Sequence, residues 1–161
     1  MTKEEKLNLL KSKLQDFEIQ YGDTNGTELL IIKKEDIISV SRILKSEKEL
    51  FYDLLIDIHC IDRFVKKDRF EINVNLWSST NKNRIFLKII LDSKNPEMES
   101  LTQVWKSANW HERETYDMHG INFKNHPDLR RIYMPEEFEY FPLRKDFPLM
   151  GIPGSIYLPK K

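Results

Sequence analysis

Six of the seven prolines in this 161-residue chain lie beyond residue 119: Pro127, Pro135, Pro142, Pro148, Pro153 and Pro159. Proline fixes φ and has no N–H to donate, so this stretch cannot continue as a long helix or as the interior of a sheet. It nevertheless carries Phe123, Tyr133, Phe138, Tyr140, Phe141, Phe147 and Tyr157, whereas disordered linkers are poor in aromatic residues. The segment must bury rings without much regular structure. Two outcomes are open from composition: the tail folds back on its own domain, or it lies across another protein, where Tyr, Phe and Arg are favoured. The expectation is an α+β domain over residues 1–119 and an extended partner-docking tail over 120–161.

Before residue 119 the apolar pattern changes period several times. Leu7, Leu10, Leu14 and Phe17 recur at steps of three and four, which predicts a helix over 3–16. Phe17, Ile19 and Tyr21 alternate, Asp23-Thr24-Asn25-Gly26 signals a turn, and 29–33 returns, so 17–33 reads as a hairpin. A second helix is expected over 35–47. Strands are expected over about 53–59 and, as a hairpin, over 69–92, where Phe70, Ile72, Val74 and Leu76 alternate, then Ile85, Leu87 and Ile89. Ser100 with Gln103 fits a capping box. Leu101, Val104, Trp105 and Ala108 share a face, so a third helix is expected from 100 to about 118, with Gly120 closing it. The order helix-strand-strand-helix-strand-strand-strand-helix predicts a two-layer α/β sandwich of the α+β class.

Composition removes several function classes. Lys plus Arg and Asp plus Glu both number 26, so formal net charge is zero, which argues against a nucleic-acid surface and favours association with a partner. Mean hydropathy is −0.56, a soluble balance. The single cysteine, Cys60, allows neither an intrachain disulfide nor a thiolate-held cluster. It lies in an apolar strand, and a buried structural thiol is the expectation. The N-terminus MTKEEKLNLL lacks an apolar signal core. The apolar runs fall far short of the ~18 residues of a spanning helix, so no direct transmembrane segment is expected, and membrane association would go through another protein.

The glycines fit neither a dinucleotide fingerprint nor a P-loop. His111-Glu112-Arg113-Glu114-Thr115 begins like the His-Glu-x-x-His zinc pattern, but Thr115 stands where the second histidine belongs. A metal hydrolase using His111, His119, His126 and Asp117 is the alternative reading. Arg113 and Asp117, at i and i+4 on a helix, are expected to pair. Arg130-Arg131 and Arg144-Lys145-Asp146 sit among prolines and rings, where arginine makes bidentate bonds to carboxylates, either Glu112 or Glu114 or those of a partner. No acid–base pair or activated nucleophile stands out.

Three blocks carry a resemblance: Glu112-Arg113-Glu114-x-x-Asp117-Met118-x-Gly120-Ile121; His126-Pro127-x-Leu129-Arg130-Arg131; and Pro142-Leu143-Arg144-Lys145-Asp146. In this order and spacing, across about 104–148, the chain resembles the C-type hydrophilic-arm subunit of NADH-quinone oxidoreductase, respiratory complex I. Earlier residues agree in element order and in short runs such as 57–62. At His119 the family usually has an apolar residue, and 149–161 does not align.

The resemblance implies a non-catalytic, hetero-oligomeric subunit that packs on the D-type quinone-site subunit and the B-type terminal-cluster subunit. The complex passes electrons from NADH to quinone and translocates protons. No cofactor is expected in this chain; NADH, FMN, iron–sulfur clusters and quinone belong to partner subunits. The location implied is peripheral, on the cytoplasmic face of the inner (plasma) membrane, through the complex. The equivalent subunit of a ferredoxin-linked dehydrogenase or a membrane-bound hydrogenase is the alternative within the resemblance. Glu112, Arg113, Glu114, Asp117, Gly120, His126, Pro127, Arg130, Arg131, Pro142, Leu143, Arg144, Lys145 and Asp146 are the expected interface residues.

Overall fold

A computed structural model describes residues 2–154. The chain runs α1 (Lys3–Lys13), β1 (Gln20–Thr24), β2 (Thr27–Ile32), α2 (Ile37–Ser46), β3 (Leu54–Asp62), β4 (Phe70–Ser78), β5 (Asn83–Leu91), β6 (Glu97–Glu99), a 3₁₀ turn (Leu101–Gln103), α3 (Ala108–His119) and β7 (Asn122–Lys124). The expected α+β order is present. Tyr157 and Pro159 lie outside the described residues.

The five-stranded sheet has the order β1-β2-β5-β4-β3. Its hairpins β1–β2, β3–β4 and β4–β5 are antiparallel, while β2 meets β5 in parallel across the α2 crossover. Every second residue of β4 and β5 points to the helical layer: Ile72, Val74, Leu76, Ile85, Leu87 and Ile89 are fully buried, against Leu10 of α1 and Val40 and Leu44 of α2 in one core. Each such side chain contributes roughly 1.5–3 kcal/mol by burial. Among the described residues no helix is long and apolar enough to cross a membrane.

Three boundaries differ from expectation. The first helix ends at Lys13, and β1 begins only at Gln20. The reason is the turn: Asn25 (φ 51°) and Gly26 (φ 85°) form a two-residue loop, which places Thr24 opposite Thr27 and fixes register backwards from there. Phe17 and Ile19 pack on the core ahead of the strand instead of within it.

The third helix is not continuous. Ser100 accepts the N–H of Thr102 and caps only the 3₁₀ turn, not a helix with Gln103. A straight helix would separate residues 100 and 112 by about 18 Å. Instead, Glu112 accepts the Leu101 N–H and the Ser100 hydroxyl, each at 2.6 Å. Trp105 Nε1 and Ser107 Oγ, donating to the carbonyls of Tyr52 and Leu55, hold the break open.

The third difference is the short parallel pair β6–β7. It carries the chain past residue 119 with Ile121 and Phe123 buried in the main core.

Candidate functional site

The last four carbonyls of a helix have no partner within it, and the end of α3 shows where they go. Gly120, in the left-handed region at φ 71°, turns its N–H to Tyr116 O at 2.7 Å. The other three acceptors are served by the tail: Arg131 Nη1 donates to Asp117 O (3.1 Å), Leu143 N to Met118 O (3.1 Å) and Arg144 Nε to His119 O (2.5 Å). A side chain at Gly120 would collide: a Cβ there would stand 2.5 Å from Arg144 Nη2 and 2.7 Å from the Phe141 ring.

Asp117 is the hub. It is fully buried and accepts Arg131 Nη1 at 2.7 Å and three successive backbone N–H groups, Ile132 (3.0 Å), Tyr133 (2.6 Å) and Met134 (3.1 Å). Burial works to raise its pKa, but the four donors prevail and hold it below the ordinary value. The expected Arg113–Asp117 pair does not form. Arg113, 6% exposed, lies over the Trp110 ring and donates to the carbonyls of Arg130 and Arg131. Nor do the arginines find Glu112 or Glu114. Geometry explains this: Glu112 is turned inward onto Ser100 and Leu101, and the tail brings carbonyls, rings and Asp117 nearer than the exposed Glu114. Arg131 lies against Phe138 and Phe141.

A second clamp joins the tail to the sheet. Asp62, at the end of β3, accepts Arg69 Nε (2.8 Å) and Nη2 (2.6 Å), Phe64 N (2.8 Å) and, from the tail, Lys145 N (2.8 Å). Arg69 reaches on to Asp146 at 2.9 Å. Burial opposes ionisation of Asp62, yet the Arg69 guanidinium and the two backbone donors hold it far below the usual carboxylate range. Arg144 stands between Phe70 (5.2 Å) and Phe141 (4.5 Å). Among the described residues it makes no ion pair with a carboxylate, and burial lowers its pKa.

Glu112 differs from both aspartates. It is fully buried, and loss of solvent raises its pKa to about 7 although Ser100 and Leu101 donate to it. His126 Nε2 is 3.8 Å away, but burial also lowers the His126 pKa. That nitrogen donates to Asn109 O while Nδ1 accepts from Asp128 N. These two bonds hold His126 as the neutral imidazole, so the contact with Glu112 is not an ion pair. His111 lies 3.5 Å from Asp57, and His119 packs at the end of α3. No group of three metal-ligating side chains assembles among the described residues.

Most of the anticipated residues thus act within the chain. Glu112, Arg113, Asp117, Gly120, His126, Arg131, Arg144 and Asp146 bond or pack inside it, as does the Lys145 backbone. Glu114, Pro127, Arg130 and Leu143 are exposed; Pro142 is half-buried. Sequence reasoning missed Asp62, Arg69 and Phe70 as tail-holding residues. Asp62 closes the short run 57–62, but nothing local links it to a segment 83 positions away.

Large apolar side chains remain outside this latch. Trp110 is 62% exposed, Tyr133 61% and Leu143 58%, with Tyr140, Leu149 and Met150 nearby in sequence.

The family described as "Respiratory-chain NADH dehydrogenase, 30 Kd subunit" matches residues 30–153. The chain is 45% identical over 130 residues to a C-type NADH-quinone oxidoreductase subunit, the second of that type, of Rhizobium etli (strain CIAT 652), covering 81% of this chain and 69% of that one. It is 42% identical over 143 residues to the C-type NADH-quinone oxidoreductase subunit of Roseiflexus sp. (strain RS-1), covering 89% and 82%. Among solved structures, the trypsin-resistant fragment (1-134) of Nqo5 aligns with a TM-score of 0.63 at 26% identity, over 78% of this chain and 98% of that one. A chain of an archaeal membrane-bound sulfane sulfur reductase shares the fold, with a TM-score of 0.76 at 17% identity over 91% and 87%.

Proposed function

Because the chain belongs to the family of the respiratory-chain NADH dehydrogenase 30 kDa subunit, we propose that it serves as a non-catalytic peripheral-arm subunit. In this reading it packs on the D-type quinone-site and B-type terminal-cluster subunits on the cytoplasmic face of the membrane. The enclosing complex carries electrons from NADH to quinone and translocates protons. NADH, FMN, the iron–sulfur clusters and quinone are held by the partners.

The observation that carries this reading is the division of labour in the last third of the chain. The family blocks fold the tail onto α3 and the sheet, and that folding leaves Trp110, Tyr133 and Leu143 more than half exposed. Single exposed apolar residues are ordinary, but rings and arginines gathered on one segment mark an interface. Arg144 adds a half-buried guanidinium, stacked and aimed by the chain, that a partner carboxylate would complete.

The test is affinity purification of the tagged chain from detergent-solubilised membranes. D-type and B-type subunits are expected to co-purify with the wild type. Arg144→Ala is expected to deplete them, with a loss of about 2–5 kcal/mol of interface stability if the partner charge is left unpaired. Normal assembly and quinone reductase activity in membranes carrying Arg144→Ala would sink the assignment of Arg144 to the interface.

A further inference from the structure

Beside the latch, β3 and α3 enclose a cleft of about 220 Å³. Its apolar walls are Ile58, Met118 and Leu143, and its polar walls include Asp57, Glu114 and His119. Small-molecule and cofactor pockets usually span about 300–1,000 Å³, so this one suits a single long side chain better than a coenzyme.

The polar walls are incomplete. His119 is 7% exposed, and its Nδ1 is buried with no hydrogen-bond partner among the described residues. Glu114 makes no ion pair or hydrogen bond with another side chain among them. Asp57 meets only histidines, His59 at 3.0 Å and His111 at 3.5 Å, and no lysine or arginine. The tail's own Arg144 is engaged elsewhere, between Phe70 and Phe141 with its Nε on the His119 carbonyl.

Two carboxylates and an unpartnered imidazole nitrogen beside the apolar Ile58, Met118 and Leu143 favour a ligand with donors on a hydrocarbon stem. Lysine brings three donors and arginine five, with no acceptor on either. Their methylene stems pack on apolar walls while the head group stays among charges. An apolar side chain would desolvate the carboxylates with no return, and an acidic one would meet like charge.

We propose that this cleft receives a lysine or arginine side chain from the subunit that packs against the tail. The proposal rests on the partner reading above and adds the chemistry of one contact to it. Leu143 forms the outer lip, so the anchor enters beside the exposed edge of the tail. The carboxylates select a cation, and a volume of about 220 Å³ has room for a long side chain.

The test uses the assembled complex. The photo-crosslinker p-benzoylphenylalanine is placed at position 143 or, as a control, at position 133, and adducts are mapped by mass spectrometry. The expected result is an adduct from 143 to a partner peptide with Lys or Arg within two residues. Asp57→Asn combined with Glu114→Gln should reduce that adduct at least fivefold and leave the one from 133 in place, which shows that the chain is folded and assembled. An adduct from 133 with none from 143, an adduct at 143 to a peptide without a basic residue, or a yield indifferent to the double variant each overturns the cleft proposal. Absence of partner adducts at both positions overturns the partner reading, and the cleft proposal with it.

Discussion

Across β4 and β5, burial is apolar and repetitive: Ile72, Val74, Leu76, Ile85, Leu87 and Ile89 face the helices with no exposure. Around Asp117 and Asp62 burial is polar and singular. One carboxylate gathers four donors from residues 131–134, and the other gathers donors from Phe64, Arg69 and Lys145. The sheet layer is held by a non-directional force proportional to area. The latch is held by directional bonds, each of which fails if its partner moves. A region of the first kind loses stability by degrees when one contact is trimmed. A region of the second kind can open locally while the rest stays folded.

Phe70 belongs to both regions, since it is fully buried in the core and its ring lies 5.2 Å from the Arg144 guanidinium. Phe70→Ala is therefore expected to have the largest effect, about 3–5 kcal/mol of global stability, measured by denaturant unfolding. Protection of the Leu143 and Arg144 amides should fall with it. A loss under about 1 kcal/mol would mean that sheet and latch do not share this residue's packing.

A second way to separate the regions uses pH, because Glu112 and His119 titrate in opposite senses. Glu112 has a folded pKa of about 7, above its ordinary 4.5. Between those values the folded state keeps a proton that the unfolded chain releases, so stability falls as pH rises through this window. His119 has a folded pKa of about 4, below its ordinary 6.5, because of burial, with Arg144 adding to the effect and Asp62 opposing it. Between those values the unfolded chain takes up a proton that the folded state refuses. The His119 contribution is complete above pH 6.5 and is lost as pH falls toward 4. Each is worth up to about 3 kcal/mol, and they largely cancel between pH 4.5 and 6.5. His126, whose pKa burial also lowers, acts in the same sense as His119, so unfolding free energy of the wild type is expected to rise gently with pH there. Relative to the wild type, Glu112→Gln should steepen that rise, and His119→Met should tilt the slope the other way. Two variants with the same slope would refute the opposition.

The sequence made one region legible and left the other largely hidden, for the same physical reason. Period-two alternation at Phe70–Leu76 and Ile85–Ile89 reports the sheet, since each residue's face follows from its neighbours. The Asn25-Gly26 turn was legible too, although its control over register shifted β1 beyond Phe17 and Ile19. The latch depends on pairs such as Asp62 with Lys145 or Asp117 with Tyr133, where no periodicity links the members. The family blocks pointed to Asp117, Arg131 and Arg144 without saying what they bind. Glu112 reads from the sequence as a partner for the tail arginines, because its cap of the 3₁₀ turn requires a break at 104–107 that the apolar spacing does not signal.

The smallest and most local effect is expected at Asp117 itself. Asparagine has nearly the same shape and keeps one acceptor oxygen, but it replaces the other with an NH₂ group facing donors. Asp117→Asn should cost about 1–3 kcal/mol through unsatisfied buried N–H groups. The loss should be confined to the tail, because the sheet core contributes nothing to those bonds. Native-state hydrogen exchange reads this directly: the amides of Ile132, Tyr133 and Met134 should exchange much faster, while those of Val74 and Leu87 keep wild-type protection. Uniform loss across both sets would mean that the latch opens only when the whole domain unfolds. The tail would then be an integral part of the sheet domain, not a separately held strap.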